Sequence, residues 1–187
     1  MAQILAGDIR KGITFEYKSG VYTVVEFLHV KPGKGAAFVR AKLKNVVTGQ
    51  VLEDTFNPTA KLETVDVQTT KMTYSYFDGE FYVFADEEYN ETRLTADQVG
   101  DTINWIKEMD TVTIKFLYGN AFSVEAENFV ELVVTQADPG VKGNTATNVM
   151  KNAVLETGAR IMVPMFIEEG ETIRVDTRTG EYMARVK

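Results

Sequence analysis

Short runs of alternating apolar and polar residues, separated by turn-forming residues, recur along almost the whole chain. Ile13–Tyr17 and Val21–His29 show this two-residue period on either side of a Lys-Ser-Gly triplet. Asp78-Gly79 lies between two aromatic, β-prone runs, which is a strong signal for a β-hairpin. Because this period matches a strand that is buried on one face, we predict an all-β protein made of small barrels.

The turn signals divide the chain into three segments. In the first, strands at Ala37–Leu43 and Val51–Phe56 precede a stop at Asn57-Pro58, which places a boundary near residue 63. The strands of the second segment surround one helical element, as in a five-stranded OB-like barrel. We therefore predict domains at 1–63, 64–127 and 128–187, the last containing further short strands.

One helical element and one long loop are also expected. Thr95–Gln98 fits a capping box, and the apolar residues that follow could line one side of a short helical region: Val99, Ile103, Trp105, Ile106 and Met109. Asp138–Asn152 is rich in Gly, Asn and Thr and is predicted to be a loop.

The turn between the strands Val21–His29 and Ala37–Leu43 presents one lysine. Pro32 suits the second position of a type II turn and Gly33 the third, where a positive φ is required. Lys34 then lies at the reversal, and Gly35 leaves room for its side chain. Two strands of this length could carry the lysine ~25 Å along the hairpin axis. Most hairpin turns of this composition have no catalytic or binding role. A phosphate-binding loop is excluded because a strand, and not a helix, follows the turn.

Composition excludes several classes of site. The chain has no cysteine and one histidine, so disulfides, thiolate metal sites and a Ser-His-Asp triad are not expected. We predict no metal, no cofactor and no role for His29. The sequence also lacks an apolar run long enough for a membrane span and a recognisable export signal, which favours a cytoplasmic location.

The net charge of −7 is distributed unevenly. Residues 1–63 have nine basic and six acidic side chains, residues 64–127 have four and thirteen, and residues 128–187 have seven and eight. This gradient predicts that the first segment meets a polyanion and that the second does not. Arg40, Lys42 and Lys44 would form a basic stripe on one face of a strand.

Several motifs together resemble the bacterial elongation factor P family, from end to end. They are Val30-Lys-Pro-Gly-Lys-Gly, Asn128-Phe-Val-Glu-Leu, Asp138-Pro-Gly-Val-Lys-Gly-Asn-Thr-Ala, Leu155-Glu-Thr-Gly-Ala, Val163-Pro with Phe166, and Asp176-Thr-Arg-Thr-Gly-Glu-Tyr with Arg185. The resemblance implies a barrel of the KOW and SH3 type followed by two OB-folds, in an L-shaped, tRNA-like arrangement.

The resemblance also implies a function. Such factors are not enzymes; they bind the 70S ribosome between the P and E sites, beside peptidyl-tRNA, and promote peptide bond formation at consecutive prolines. The implied partners are rRNA, ribosomal proteins and an enzyme that modifies the tip lysine. The factor itself is expected to be a monomer. Lys34 matches the modified position, with Pro32, Gly33 and Gly35 shaping the tip.

Other positions are implied to contact RNA. Lys31 and the stripe of Arg40, Lys42 and Lys44 would contact tRNA or rRNA. Gly143, Asn144 and Thr145 match a loop near the E-site codon, although Asp is more usual than Asn at the middle position. Tyr182 and Arg185 match positions that face the small subunit, but they could instead be an ordinary strand pair.

Three other interpretations remain at this point. The divergent elongation factor P-like paralogue departs from Pro-Gly-Lys-Gly at its tip, which argues against it here. A generic OB-fold RNA-binding protein conflicts with the acidic middle segment. An enzyme with Lys34 as a Schiff-base nucleophile would need that lysine desolvated in a pocket, unlike a hairpin tip.

Overall fold

The computed structural model describes residues 2–140 and 149–187, and within them the protein is built mainly of sixteen β-strands. One α-helical turn and two short 3-10 helices complete the described elements. The all-β prediction is confirmed. The chain divides into two compact units, Met1–Gln68 with Phe116–Phe122, and Thr69–Lys115 with Ser123–Lys187. No helix in the described residues is long and apolar enough to span a membrane.

The first unit contains two antiparallel sheets over one core. Its strands are β1 Gln3–Leu5, β2 Thr14–Tyr17, β3 Gly20–Val30, β4 Phe38–Asn45, β5 Val51–Phe56 and β6 Lys61–Glu63. β2, β3, β4 and β5 pair in that order, whereas β1 pairs with β6. On β4 the side chains of Val39, Ala41 and Leu43 are buried, so the residues between them lie on the outer face.

Five further strands form the next sheet, in the order β11-β10-β7-β8-β9. Their bounds are β7 Gln68–Phe77, β8 Tyr82–Ala85, β9 Glu91–Leu94, β10 Thr111–Leu117 and β11 Asn120–Ala126. The hairpin predicted at Asp78-Gly79 is confirmed. Gly79 has a φ of 102°, and the Asp78 carboxylate accepts hydrogen bonds from the backbone N–H groups of Glu80 and Phe81 at 2.9 and 2.7 Å.

The predicted capping box is also confirmed, but the helix that follows is shorter than expected. Gln98 N–H donates to Thr95 Oγ1 at 3.3 Å, and Thr95 N–H donates to Gln98 Oε1 at 2.9 Å. The α-helix α1 covers only Ala96–Val99, and a 3-10 helix follows at Gly100–Asn104. Met109 was wrongly assigned to the apolar side, since it is 79% exposed.

The third sheet has the order β14-β13-β12-β15-β16. Its strands are β12 Phe129–Ala137, β13 Met150–Leu155, β14 Arg160–Pro164, β15 Thr172–Asp176 and β16 Glu181–Arg185. The edge strands β14 and β16 contact each other, so the sheet curls around the core formed by residues such as Leu132, Leu155 and Ile173. The predicted loop Asp138–Asn152 was too long at its end, because β13 begins at Met150.

Candidate functional site

The lysine-bearing loop connects β3 and β4, the two longest neighbouring strands of the first unit. The last pair before the loop is Val30 opposite Phe38, and residues 31–37 are all exposed. Val39, one residue inside the pair, is fully buried in the core. The hairpin is therefore anchored almost to its end, and the loop itself is the part that projects.

The turn geometry differs from the prediction at one glycine. The left-handed φ occurs at Gly35, with a value of 121°, and Gly33 has no such φ. A Cβ atom at Gly33 would have open space around it, whereas one at Gly35 would lie 3.6 Å from Pro32 Cγ. The predicted type II turn at Pro32-Gly33 is therefore wrong. A seven-residue loop can reverse without a tight two-residue turn, so the positive φ can fall at a later position.

Lys34 extends from this loop without a partner in the described residues. Neither a hydrogen bond nor an ion pair to its side chain is found there, and the same is true of Lys31. Both lysines are exposed. Lys34 thus presents a free ammonium group on a narrow support, a suitable arrangement for covalent extension or for contact with an anionic partner.

Arg40, Lys42 and Lys44 do share the outer face of β4, as their alternation with buried residues requires. Two acidic residues from the neighbouring strands lie beside them. Lys42 Nζ is 2.8 Å from Glu26 Oε2, and Arg40 Nε is 3.6 Å from Glu53 Oε1. The stripe is therefore partly neutralised on its own face.

The Lys42–Glu26 contact changes the protonation equilibria of both groups. The hydrogen bond to Glu26 raises the pKa of Lys42, and the hydrogen bond from Lys42 lowers the pKa of Glu26. Both charged forms are favoured, so the two charges offset each other at neutral pH. The sequence does not predict Glu26 as the partner of Lys42, because a β-bulge between Val24 and Glu26 shifts the strand register.

A second group missed from the sequence surrounds Phe27 on β3. The Arg10 guanidinium lies over the Phe27 ring, 5.8 Å from its centroid, and the His29 ring packs edge-on at 5.5 Å. His29, for which the sequence predicts no role, lies on β3 and makes this edge-on contact with Phe27. Arg10 lies between β1 and β2, outside any strand, so no local pattern indicates its position over Phe27.

Tyr182 and Arg185 lie on β16, opposite Val175 and Ile173 of β15. Residues three apart on a regular strand point to opposite faces, but here the register shifts between Arg174 and Val175. Tyr182 and Arg185 therefore both lie opposite buried core residues, on the same face of the strand. Tyr182 is partly buried against the core.

Arg185 is held at the end of the barrel. Its guanidinium lies 3.1 Å from Glu171 and 5.8 Å from the centre of the exposed Phe166 ring. The structure places Tyr182 and Arg185 on the same strand, β16, whereas Gly143, Asn144 and Thr145 lie outside the described residues.

The second unit has one groove in its described residues that could hold a ligand. An open groove of about 260 Å³ in the second unit is lined partly by Ile106, Lys107, Phe129 and Glu131. Among the described residues, no group of three or more His, Asp and Glu side chains could hold a metal ion. The groove's Lys107 is already paired with Asp110 at 3.5 Å and with the Glu131 carbonyl oxygen at 3.3 Å, so the exposed Lys34 loop remains the main candidate.

Comparison with known protein families gives three matches along the chain. The elongation factor P KOW-like domain matches residues 5–62, the elongation factor P OB domain matches 67–124, and the elongation factor P C-terminal domain matches 130–185.

Individual relatives agree with these matches. Elongation factor P of Clostridium botulinum strain Hall is 62% identical over 184 residues, covering 98% of this chain and 100% of the relative. The Clostridium acetobutylicum protein of the same name is 61% identical over 185 residues, with coverage of 98% and 100%. Among solved structures, the eukaryotic translation initiation factor 5A from Methanococcus jannaschii is 17% identical with a TM-score of 0.45, covering 67% of this chain and 92% of that one.

Proposed function

The chain belongs to the elongation factor P family of translation elongation factors, and on this premise we propose that it binds the ribosome between the P and E sites and promotes peptide bond formation at consecutive prolines. In this proposal the factor positions peptidyl-tRNA and ribosomal RNA catalyses the reaction. Proline is a poor nucleophile, so holding the tRNA end in the attacking geometry raises the rate by removing unproductive conformations.

The observation that carries the proposal is the position of Lys34. Its side chain is exposed, has no partner in the described residues, and stands on a loop whose supporting strands are packed into a core up to Val39. A group that must reach a tRNA end needs such a combination of a free tip and a rigid base. We propose that Lys34 is the working end and that a modifying enzyme lengthens it.

Lys31 and the outer face of β4 are proposed to contact tRNA or rRNA phosphates. The ion pairs of Lys42 and Arg40 with Glu26 and Glu53 make this contact weaker than three free cations would be. Binding of RNA would then involve exchanging a carboxylate partner for a phosphate. The stripe serves to orient the factor, since phosphate contacts position a protein without reading sequence.

The C-terminal sheet is proposed to face the small subunit through Tyr182 and Arg185, with Gly143, Asn144 and Thr145 near the E-site codon. The Glu171 ion pair and the Phe166 ring hold the Arg185 guanidinium in one place while leaving its side chain 45% exposed. A fixed, accessible arginine suits contact with RNA phosphate. Asn144 would supply a neutral amide to that contact.

The factor is proposed to be a non-enzymatic, cytoplasmic monomer whose partners are the 70S ribosome, its rRNA and proteins, and P-site peptidyl-tRNA. An enzyme with Lys34 as a Schiff-base nucleophile is disfavoured because the side chain is exposed rather than desolvated. The match of three elongation factor P models, one for each segment, favours this family over a generic OB-fold RNA-binding protein.

Reconstituted translation tests the proposal. We expect the protein, isolated with its native modification, to accelerate synthesis through a Pro-Pro-Pro template and to leave a proline-free template almost unchanged. Equal stimulation of both templates, or of neither, contradicts the proposal. Tight binding of naked single-stranded RNA in a filter assay would instead support a generic RNA-binding protein.

A further inference from the structure

The single tryptophan of the chain, Trp105, follows directly after the 3-10 helix Gly100–Asn104. This helix lies between α1 and β10, in the middle of the central segment. The Trp105 ring nevertheless packs against the core of the third sheet, which consists of residues from β12 onward. Trp105, the largest side chain in the protein, thus comes from the segment that precedes β10 and is partly buried against the core of the third sheet.

Two contacts hold this end of the helix against the third sheet. Thr157 Oγ1 donates a part-buried hydrogen bond to the Asn104 carbonyl oxygen at 2.6 Å. Gly180 lies under the ring, where an added Cβ atom would be 3.4 Å from Trp105 Cζ2 and 3.5 Å from Cη2. The absence of a side chain at Gly180 therefore allows the indole ring to approach the backbone closely.

The same segment is held to the central sheet as well. Thr102 Oγ1 donates to the Val124 carbonyl oxygen of β11 at 3.0 Å, and Ile106 is buried. Beyond the tryptophan, Lys107 Nζ donates to the Glu131 carbonyl oxygen of β12 at 3.3 Å. Residues 100–107, hereafter the strut, are thus bonded to strands on both sides.

We propose that the strut fixes the third sheet relative to α1 and β7–β9, and that Trp105 and Thr157 are positioning residues for the factor. The functional part of this inference rests on the proposed function. A factor whose third sheet contacts the small subunit depends on a constant orientation of that sheet within the second unit. Bonds at both ends of a short helix supply that constancy, because the segment cannot move without losing buried contacts.

Paired spin labels can test the strut directly. The chain has no cysteine, so Tyr89→Cys and Met162→Cys, at positions 87% and 46% exposed, give two unique labels on either side of the strut. We expect one narrow distance distribution for the unsubstituted strut. Thr157→Val keeps the side-chain volume but removes the hydrogen bond, and we expect the population outside the main peak to rise about fivefold.

Thr135→Val is the matched control. It removes the same kind of hydrogen bond, from a threonine hydroxyl to a backbone carbonyl, but this one is 3.1 Å long, exposed, and joins Thr135 to Val154 within the third sheet. This control should leave the distance distribution unchanged. Trp105→Ala should broaden the distribution more than Thr157→Val, with circular dichroism confirming that both variants keep their β-structure.

The outcomes separate the strut from the proposed function. An unchanged distribution in both Thr157→Val and Trp105→Ala overturns the strut. A broader distribution with an unchanged rate on the Pro-Pro-Pro template overturns the positioning role, whereas a lower rate than that of Thr135→Val supports it. If the unsubstituted protein fails to stimulate that template, the proposed function fails, and the distance measurement still decides whether the strut exists.

Discussion

The ammonium group of Lys42 on β4 lies 2.8 Å from the Glu26 carboxylate on β3, directly on the outer face of the hairpin that carries Lys34. The hairpin is therefore less positive than its lysine and arginine content indicates. The pair is solvent-exposed, so salt screens it and a phosphate can compete for the lysine.

Removal of the competing carboxylate should strengthen binding. We expect Glu26→Gln to increase ribosome affinity at low salt by about twofold, because Lys42 then loses its hydrogen-bonded carboxylate partner and is more available to phosphate. Combined replacement of Arg40, Lys42 and Lys44 by Ala should weaken ribosome binding. It should also reduce the slope of the logarithm of the binding constant against the logarithm of the salt concentration by about two. Ribosome binding at several salt concentrations measures both effects. An unchanged slope in the triple variant would mean that these side chains make no phosphate contacts.

Lys34 and Lys31 should differ although both are exposed lysines of the same loop. We expect Lys34→Ala to slow Pro-Pro-Pro synthesis by about tenfold, because the positioning group is lost, and Lys31→Ala to slow it by less than about twofold. Ribosome affinity should change little in either variant. The measurement is the synthesis rate on Pro-Pro-Pro and proline-free templates.

Lys34→Arg is the sharper control because it keeps the charge but cannot accept a lysine-specific modification. Its rate should resemble that of Lys34→Ala. Equal losses for Lys31→Ala and Lys34→Ala would indicate diffuse electrostatics rather than a positioned group.

Of the two glycines beside Lys34, Gly35 should be sensitive to substitution and Gly33 should tolerate it. At Gly35 the φ of 121° makes any side chain strained, at a cost of about 1–3 kcal/mol for the loop conformation. Gly33→Ala meets open space and no left-handed φ, so we expect it to be tolerated. Rates on the Pro-Pro-Pro template, with the thermal midpoint as a folding check, compare Gly35→Ala with Gly33→Ala. A larger loss for Gly33→Ala would contradict the observed loop geometry.

Asp54 should make the first unit sensitive to acid. Hydrogen bonds from the Lys18 ammonium, the Tyr17 hydroxyl at 2.6 Å and a backbone N–H lower its pKa to about 2. Because the folded-state pKa lies below the unfolded one, this stabilisation is complete above about pH 4 and is lost as the pH falls through about 2.

Asp54→Asn should therefore lower the free energy of unfolding near neutral pH. It should also make that free energy fall less steeply between about pH 4 and pH 2. Urea unfolding monitored at several pH values measures the effect. Asp66→Asn, at an exposed position, is the control. The same pH dependence in Asp54→Asn as in the unsubstituted protein would show that this hydrogen-bond group does not contribute.

Local patterns predicted the elements well where the chain makes neighbouring contacts. Val51–Phe56 has the predicted bounds, and the Asp78 hairpin and the Thr95 capping box are present. Each depends on residues that are close in sequence, so alternation and turn chemistry suffice to identify them.

Features that depend on distant partners or on a local irregularity were missed. The pairing of β1 with β6 joins residues nearly sixty positions apart, and these three-residue strands are too short to show a period. The bulge near Glu26 has no sequence signature, so the acidic partner of Lys42 was not expected. Gly33 and Gly35 both permit a positive φ, and only the whole loop decides which one adopts it.

The β1–β6 pairing also sets an order of events during synthesis of the protein. Gln3 lies opposite Glu63, so this sheet cannot form until the segment through Glu63 has left the ribosomal exit tunnel. β3 and β4 are neighbours in sequence, and their hairpin can form within microseconds once both have emerged. A nascent chain would therefore display the Lys34 loop before its own N-terminal strand is secured, and a modifying enzyme could act on the loop while translation of the remaining chain is still in progress.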